Sequence, residues 1–578
     1  MSIYKRKYVV HALAVAIIVF ICSMNISKLN YIAVLEDEFG YWGTAASIAG
    51  YDWSELMRVT SYYAPGYSLL LLPIILFFPH TLWYKAAIWL NIILIVLTYF
   101  IGCSIGKKLF PEEDVRLIYV ASLLTAIYPG SITYMEVAWS ETIQYFLIWV
   151  LTYLIVSLET KFSYIKVIAT LSVSIYLYSV HNRNIGIWAC LLVCMLLLFA
   201  KNKKKIWIYF LPLLVIAIGY LGFNWAKSYE VSRLYGSSTA AESNNFEITG
   251  GLFTLYLERL LGSLDAYVMS AYGKFFYVLL GTCFTFPIAI WQTVKELLQN
   301  IRRKDLFNKY MISKLWCMMI LCIMLLLTAL QMMYSEGRKD ILVYSRYFEH
   351  TIGPILLLGI MYLCQLCQKL SRQLALLSAI IFLPGIVIVQ NKIAGAQNYF
   401  NSICTPVIGA YIDNTDSIKT AFAWILFAAN LTIMTLIIAS FIKKRRIKLL
   451  LIITMIFTIF SAERVKASTY MNKCRASFEA GTEPVRDAIK ERRMEELYYI
   501  ENEACDPYCV RPRYLQYLLP NHKFHIIGRE SSIRLPEDSI VLVHSEDAET
   551  QDYLSANVPS LRLETTNMYV LYEIQSQE

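Results

Sequence analysis

The sequence predicts a polytopic α-helical membrane protein that ends in a small α/β domain outside the membrane. Of the 578 residues, 57% are hydrophobic and only 16% are charged, and the mean hydropathy is +0.50. The core of a soluble protein does not need so large an apolar fraction, whereas each bilayer-spanning helix needs about 20 consecutive apolar residues. Apolar stretches of that length recur up to residue 462, and the composition becomes charged after it.

Thirteen stretches are long and apolar enough to be predicted as membrane-spanning helices. A further segment at residues 67–79 is apolar but short and rich in proline, so we predict a juxtamembrane or re-entrant helix there. The thirteen predicted spans lie near residues 8–26, 84–105, 115–131, 139–158, 164–181, 184–200, 205–226, 271–293, 314–333, 351–369, 374–391, 418–441 and 448–463.

The basic residues between these helices predict the orientation of the chain. If residues 67–79 are not counted as a span, every cluster of Lys and Arg falls on the side of the N-terminus, for example Lys201 to Lys205 and Lys443 to Arg446. Loops rich in Lys and Arg stay in the cytoplasm. We therefore expect a multi-pass protein of the cell membrane with a cytoplasmic N-terminus and an external C-terminus. The net charge of +9 belongs to this pattern and implies no nucleic-acid partner.

Two domains follow from the change in composition. Residues 1–462 form the membrane domain, in which residues 27–84 make a first external loop with juxtamembrane helices. Residues 463–578 form the external domain, because a helical segment at Glu483–Glu496 is followed by short apolar runs such as Ile540 to Val543, which are typical of strands.

The cysteines of the external domain leave two possibilities open. Cys505 and Cys509 lie there together with Cys474. Secreted and external domains form disulfides, but free thiols are equally compatible with the Cys-x3-Cys spacing.

Two groups of carboxylates lie at the external ends of predicted helices. Glu36, Asp37 and Glu38 follow the first span, and Glu136 and Glu141 lie at the start of the fourth. Clustered negative charge beside a bilayer is costly, because like charges and a low-dielectric neighbour both oppose ionisation. A solvated acidic loop and a capped helix are the alternatives to a functional cleft.

Arginines lie on the same predicted side of the membrane. Arg183 lies between two spans, where it can either snorkel to the interface or bind phosphate. Arg338 and Arg346 lie in an external loop whose positive charge opposes the positive-inside trend, so we predict that this loop holds an anionic ligand rather than forming ordinary surface.

Taken together, these residues resemble the GT-C superfamily of membrane glycosyltransferases, in the branch of the bacterial aminoarabinose transferases and protein O-mannosyltransferases. The resemblance covers about the first 370 residues, and one proline stands where many members have two. It lies in Asp37-Glu38, in the aromatic turn from Tyr63 to Tyr67, in Ser140-Glu141, in Arg183 and in the segment from Arg346 to Glu349.

The resemblance implies transfer of a hexosyl or pentosyl group from a polyprenyl-phosphate donor to a lipid, glycan or protein acceptor of the cell envelope. Such a transfer needs a carboxylate that activates the acceptor hydroxyl, and Asp37 is the candidate base, with Glu38 or Glu141 as its partner or as a metal ligand. Asp37 and Glu141 are also candidate ligands of a divalent cation, because carboxylates suit Mg²⁺, Mn²⁺ and Ca²⁺. Cations are needed to stabilise the departing phosphate. The candidate substrate-binding residues are Arg183, Arg338, Arg346, Tyr347, Tyr63 and Tyr67.

Two other classes of protein remain as alternatives. A transporter or flippase would place charges in the middle of its spans and show inverted repeats, whereas here the charges lie at helix ends and no repeat is visible. A polymerase or ligase of lipid-linked glycans would also use external arginines, but it gives no reason for the Asp37-Glu38 pair.

Overall fold

The computed structural model describes residues 3–32, 35–235, 250–308, 310–334, 337–365, 368–395, 400–412, 417–441, 475–492, 495–506 and 509–575. Up to residue 441 these residues are almost entirely helical. The helices are α1 (Ile3–Ser23), α2 (Leu35–Ala49), α3 (Ser54–Arg58), α4 (Ser68–Phe77), α5 (Trp83–Leu109), α6 (Val115–Ala126), α7 (Pro129–Met135), α8 (Ser140–Thr160), α9 (Tyr164–Val180), α10 (Ile185–Lys201), α11 (Leu211–Glu230), α12 (Gly250–Gly262), α13 (Leu264–Gly281), α14 (Thr285–Arg302), α15 (Met311–Gln331), α16 (Ile352–Gln365), α17 (Gln368–Gly395), α18 (Pro406–Ile412) and α19 (Ile418–Phe441).

The long apolar helices confirm a polytopic helical membrane protein. Within the described residues, six helical segments are long and apolar enough to cross a bilayer, and two bent helix pairs, α6 with α7 and α13 with α14, would raise the number to eight. The predicted number of thirteen is not confirmed. The six segments are Tyr8–Lys28, His80–Leu109, Ser140–Thr160, Asn182–Lys201, Ile208–Tyr235 and Met311–Gln331.

The number differs because several predicted spans are broken or short. The predicted span at 271–293 bends by 100° between α13 and α14, because Cys283 and Phe284 have positive φ angles of 47° and 61° and cannot continue a right-handed helix. The span predicted at 115–131 bends by 49° just before Pro129, where the residue preceding a proline disfavours the helical conformation. The predicted span at 448–463 lies outside the described residues.

The acidic stretch after the first span is helical and not a loop. Glu36, Asp37 and Glu38 form the first turn of α2, where carboxylates interact favourably with the positive end of the helix dipole. The proline-rich segment forms the short helix α4, as predicted. Before it, the Gly66 N–H donates to the Ser179 carbonyl oxygen at 2.8 Å, and a Cβ at Gly66 would lie 2.6 Å from that backbone. The loop before α4 is therefore pressed against the end of α9.

The residues after 474 form the small α/β domain that the sequence predicts. A helix over residues 475–492 begins earlier than the predicted segment and ends before Glu496, which starts the first strand. The five strands lie in the order β2-β1-β3-β5-β4, with β1 parallel to β2 and β3, and β5 antiparallel to β3 and β4. The strands are β1 (Glu496–Ile500), β2 (Lys523–Ile527), β3 (Ile540–His544), β4 (Ser560–Thr565) and β5 (Tyr569–Ile574), and two further helices are α20 (Val510–Leu518) and α21 (Ala548–Asn557).

This domain packs on the helices that follow the first span. The Trp53 indole N–H donates to the Pro520 carbonyl oxygen at 3.0 Å, and Arg513 donates to the Val59 carbonyl oxygen at 2.8 Å. Trp42 of α2 also meets the ring of Tyr517, with centroids 5.5 Å apart. The C-terminal domain therefore covers the segment that carries the acidic run.

The structure describes two of the three cysteines of this domain but not its predicted boundary. Cys505 and Cys509 are both free thiols, whereas Cys474 lies outside the described residues. The predicted boundary between residues 462 and 463 lies there too, and it stays a prediction.

Candidate active site

A cavity of about 210 Å³ lies between the start of α2, the end of α9 and the turn before α16. Apolar side chains from α15, such as Leu327 and Leu330, form part of its wall. Five of the predicted site residues also line it, namely Asp37, Tyr63, Arg183, Arg346 and Tyr347.

Arg346 is the central side chain of this site, because it contacts two carboxylates at once. Its Nη1 lies 2.5 Å from Asp37 Oδ2 and its Nε lies 2.6 Å from Glu141 Oε1. The guanidinium group also lies 3.7 Å from the centre of the Trp139 ring, a cation–π arrangement. The predicted convergence of the two acid groups is therefore present for Asp37 and Glu141, although residues of the first loop and of α8 are far apart in sequence.

Glu141 lies behind the cavity wall and is nearly inaccessible, with 2% of its side chain exposed. A carboxylate buried to this extent needs compensating positive charge. Two arginines supply it, because Arg183 Nη2 lies 2.8 Å from the same Oε1 atom that Arg346 contacts. Glu141 also lies in the first turn of α8, where the helix dipole favours a negative charge.

Arg183 has hydrogen-bonding capacity that the described residues do not use. Its side chain is 4% exposed, and its guanidinium group lies 4.6 Å from the centre of the Tyr347 ring. Nε and Nη1 are both buried and have no hydrogen-bond partner in the part of the chain that the structure describes. Buried N–H donors of a charged group that lack an acceptor are costly, so this side of the cavity is suited to bind an anion.

Asp37 is the carboxylate that the cavity exposes. Its side chain is 18% exposed, and the Tyr63 hydroxyl donates to Oδ1. Burial and the neighbouring Asp37 charge raise the pKa of Tyr63 well above its usual range, so this hydroxyl stays a donor. A Cβ at Gly40 would lie 2.1 Å from the Tyr63 ring. The glycine thus permits the ring to lie against α2 beside Asp37.

Sequence reasoning missed several residues of the cavity. His181, Tyr41, Tyr62 and Tyr178 all line it. Burial, together with the charges of Arg183 and Arg346, lowers the pKa of His181 well below its usual range, so its ring is neutral. A signal for His181 and Tyr62 was present, because each lies within two residues of a predicted site residue.

Besides Glu141, three predicted site residues do not line the cavity. Glu38 is buried and accepts hydrogen bonds from the Tyr84 hydroxyl at 2.7 Å and the Ala138 N–H at 2.9 Å. Arg338 is paired with Asp340 through two contacts of 2.8 Å. Tyr67 is buried against Tyr41, with ring centroids 5.3 Å apart.

The carboxylates as arranged do not fit a divalent cation. The guanidinium group of Arg346 contacts both Asp37 and Glu141, and Glu141 Oε1 already receives two arginine contacts. A cation at this point would meet the positive charges of Arg183 and Arg346 in place of further oxygen ligands. No cluster of three or more His, Cys, Asp and Glu side chains suited to a metal occurs among the described residues. The cation at Asp37 and Glu141 stays a prediction that this geometry does not favour.

Comparison with known proteins identifies the fold. No protein-family model matches the chain, and no curated protein matches it in sequence. Its structure is similar to that of ArnT from Cupriavidus metallidurans in the apo state, with a TM-score of 0.54 and 11% identity over 98% of both chains. The same protein bound to undecaprenyl phosphate gives a TM-score of 0.56 and 11% identity over 97% of both chains. An oligosaccharyltransferase from Archaeoglobus fulgidus gives a TM-score of 0.41 and 10% identity, over 95% of this chain and 68% of that one.

The similarity to ArnT extends over nearly the whole of both chains, so it includes the C-terminal domain as well as the membrane helices. The chain therefore has the fold seen in the ArnT structures, in agreement with the resemblance that its sequence motifs gave.

Proposed function

We propose that the protein is a glycosyltransferase that moves a sugar from a polyprenyl-phosphate donor to an acceptor of the cell envelope at the outer face of the membrane. The observation that carries the proposal is the position of Arg346, which contacts both Asp37 and Glu141 at the wall of a cavity between membrane helices. The fold supports the donor class, because the ArnT structure that it resembles was determined with undecaprenyl phosphate bound.

Asp37 is suited to act as the general base. In the proposed transfer, an acceptor hydroxyl attacks the anomeric carbon, the bond from that carbon to the phosphate oxygen breaks, and the polyprenyl phosphate leaves with the electron pair. The acceptor proton passes to Asp37. Of the two carboxylates that Arg346 contacts, only Asp37 lines the cavity, where it is within reach of an acceptor.

Arg183 and Arg346 are suited to hold the phosphate. Negative charge grows on the leaving oxygen as the bond breaks, and guanidinium groups in a water-poor cavity stabilise it strongly. Arg183 has two buried N–H donors that no described residue uses. Glu141 contacts both arginines, so in this mechanism it orients them and leaves the proton transfer to Asp37.

The apolar wall and the aromatic rings suit the other parts of the donor. Leu327 and Leu330 of α15 offer an apolar surface, which a polyprenyl chain requires. Tyr347 and Tyr63 line the same cavity, and aromatic side chains suit the apolar C–H faces of a sugar.

The experiment compares Asp37→Asn with Glu36→Gln, using purified protein and polyprenyl-linked sugars and measuring the release of polyprenyl phosphate. Loss of a positioned general base removes about a hundred- to ten-thousand-fold in rate. Glu36 is the matched control, because it is the adjacent carboxylate in the chain and its side chain is exposed. We expect a large loss for Asp37→Asn and near-normal release for Glu36→Gln.

Both variants should elute as folded protein, because neither change opens a core cavity. Glu36→Gln should melt near the wild-type temperature, and Asp37→Asn should melt lower because it weakens the ion pair with Arg346. Equal damage from the two variants would contradict the role of Asp37. Movement of the intact donor across a proteoliposome membrane, without release of polyprenyl phosphate, would instead identify a flippase.

A further inference from the structure

We infer that Arg475 of the C-terminal domain is a positioning residue of the active site, which makes the C-terminal domain part of the catalytic apparatus. The inference rests on the proposed function. Arg475 lies at the start of the helix over residues 475–492 and is 2% exposed. Its side chain crosses into the membrane domain, where Nη2 donates to the Tyr84 hydroxyl at 3.1 Å and to the Glu136 carbonyl oxygen at 2.7 Å.

The first contact connects Arg475 to the segment that carries the base. The Tyr84 hydroxyl accepts from Arg475 and donates to Glu38 Oε1 at 2.7 Å. Glu38 directly follows Asp37 in the first turn of α2. The position of Asp37 therefore depends on how firmly Glu38 is held, because both share one rigid helical turn.

The second contact connects Arg475 to the segment that carries Glu141. The turn from Glu136 to Trp139 leads directly into α8 and ends with the ring on which Arg346 lies. Arg475 holds the carbonyl oxygen at the start of this turn, and the Ala138 N–H donates to Glu38 Oε1 at 2.9 Å. One guanidinium group thus joins the two segments whose carboxylates Arg346 bridges.

The geometry favours positioning over direct catalysis, because Arg475, Tyr84, Glu38 and Glu136 all lie outside the lining of the cavity. The alternative is that Arg475 only compensates the buried charge of Glu38. That role would change the stability of the protein, but it would leave kcat of the folded fraction unchanged. The two readings therefore differ in a measurable way.

The test uses the full-length protein with Arg475→Gln, Arg475→Lys and Arg492→Gln. Arg492 is the matched control, because it lies on the same helix and pairs at 3.5 Å with Glu573 of its own domain. A displacement of about 1 Å in a reacting group can lower the rate on the order of a hundredfold. We expect kcat of folded Arg475→Gln to fall at least tenfold with little change in KM for the donor, and Arg492→Gln to keep the wild-type kcat.

Arg475→Lys keeps the charge but loses the planar fork that serves two acceptors, so we expect it to restore only part of kcat. It also keeps the test decisive if Arg475→Gln does not fold. A wild-type kcat in the folded fraction of either Arg475 variant, or an equal loss in Arg492→Gln, would overturn the inference.

A second measurement separates this inference from the proposed function. Amide hydrogen exchange over residues 36–41 and 136–141 should become faster in both segments of Arg475→Gln, and in neither segment of Arg492→Gln, whatever substrate the protein uses. Unchanged exchange would overturn the inference about Arg475. Faster exchange in a protein that releases no polyprenyl phosphate would support the positioning role and contradict the proposed function alone.

Discussion

At the scale of single residues, Glu36, Asp37 and Glu38 are neighbours in the chain with three different surroundings. Glu36 is exposed, Asp37 faces the cavity, and Glu38 is buried against Tyr84. Successive residues of a helix point about 100° apart, so three adjacent carboxylates cannot face one cleft. Of the three, Asp37 alone lines the cavity.

Arg346 and Arg338 provide a matched pair for the first prediction at this scale. Arg346→Lys keeps one positive charge, but an ammonium group cannot reproduce the fork that meets Asp37 and Glu141 at 2.5 and 2.6 Å. Hydrogen bonds between charged groups contribute about 1.5 to 3 kcal/mol. We therefore expect kcat/KM for a polyprenyl-linked sugar to fall about tenfold to a hundredfold.

Arg338→Lys should change kcat/KM by less than about twofold, since its fork is satisfied by Asp340 and it does not line the cavity. The sequence predicted Arg338 as a substrate-binding residue, and its pairing with Asp340 argues against that role. Comparable losses in the two variants would show that Arg338 reaches the donor after all.

The sequence indicated which charged residues lie near the site better than it indicated where each side chain points. Asp37, Arg183 and Arg346, which line the cavity, could be selected from the sequence because charged residues beside a bilayer are energetically costly and usually have a function. Glu38 and Arg338 carry the same charges in the same segments. What separates them is the direction of each side chain relative to α5 and to Asp340, which depends on tertiary packing and has no local signal.

At the scale of elements, the turn from Ser345 to Glu349 determines where Arg346 lies. The N–H groups of Ser345 and Arg346 both donate to the Cys404 carbonyl oxygen, at 3.0 and 3.2 Å. Glu349 holds the other end of this turn in place, because its Oε1 accepts a hydrogen bond from the Tyr277 hydroxyl at 3.0 Å. Burial raises the pKa of Glu349 from an ordinary value of 4.5 to about 7.

This pKa predicts how stability depends on pH. Between pH 4.5 and about 7 the folded protein keeps the Glu349 proton while the unfolded chain loses it, so stability falls as pH rises through that window. One pKa unit corresponds to about 1.4 kcal/mol, which limits the loss to about 3 kcal/mol. Glu349→Gln mimics the protonated form. Its thermal unfolding midpoint should therefore fall less than that of the wild type between pH 5 and pH 8.

Glu537→Gln is the control for this prediction, because Glu537 is an exposed carboxylate of the C-terminal domain and its replacement should leave the wild-type pH dependence intact. If Glu349→Gln and the wild type lose the same number of degrees between pH 5 and pH 8, Glu349 is not the group that titrates.

Hydropathy located most helices but not their breaks. The sequence predicts the segments of α5, α8, α10 and α15 within a few residues. An uninterrupted apolar run in a bilayer satisfies its backbone hydrogen bonds by forming a helix. The bend of 100° between α13 and α14 comes from two residues with positive φ that are neither glycine nor asparagine. Such a conformation is imposed by surrounding structure, and composition gives no indication of it.

At the scale of the whole molecule, the orientation in the membrane is the next prediction. The positive-inside pattern places the C-terminal domain outside and the loop after α10 in the cytoplasm. Asp538→Cys should react with a membrane-impermeant maleimide in intact cells, because Asp538 is exposed. Lys205→Cys, also at an exposed position, should react only after permeabilisation. The unsubstituted protein serves as the control for labelling of native cysteines. The opposite labelling pattern at the two positions would show that the predicted orientation is wrong.

The overall class of the molecule followed from composition, but the arrangement of its two parts did not. Alternating apolar runs predicted the sheet of the C-terminal domain. Nothing local indicated that Arg475 would contact Tyr84, because the two residues are separated by 391 positions in the chain. A contact of that kind depends on the finished fold of both domains.

The packing of the C-terminal domain on the membrane helices also has a consequence for biosynthesis. Every residue that lines the cavity is translated before Arg475, and the helix that carries Arg475 has to be translocated to the same side of the membrane before it can contact Tyr84. A nascent chain therefore holds all of its reactive groups while it still lacks the contact that joins them. On the inference that Arg475 positions the site, turnover of a polyprenyl-linked donor by a nascent chain should stay low until this helix has reached the membrane domain.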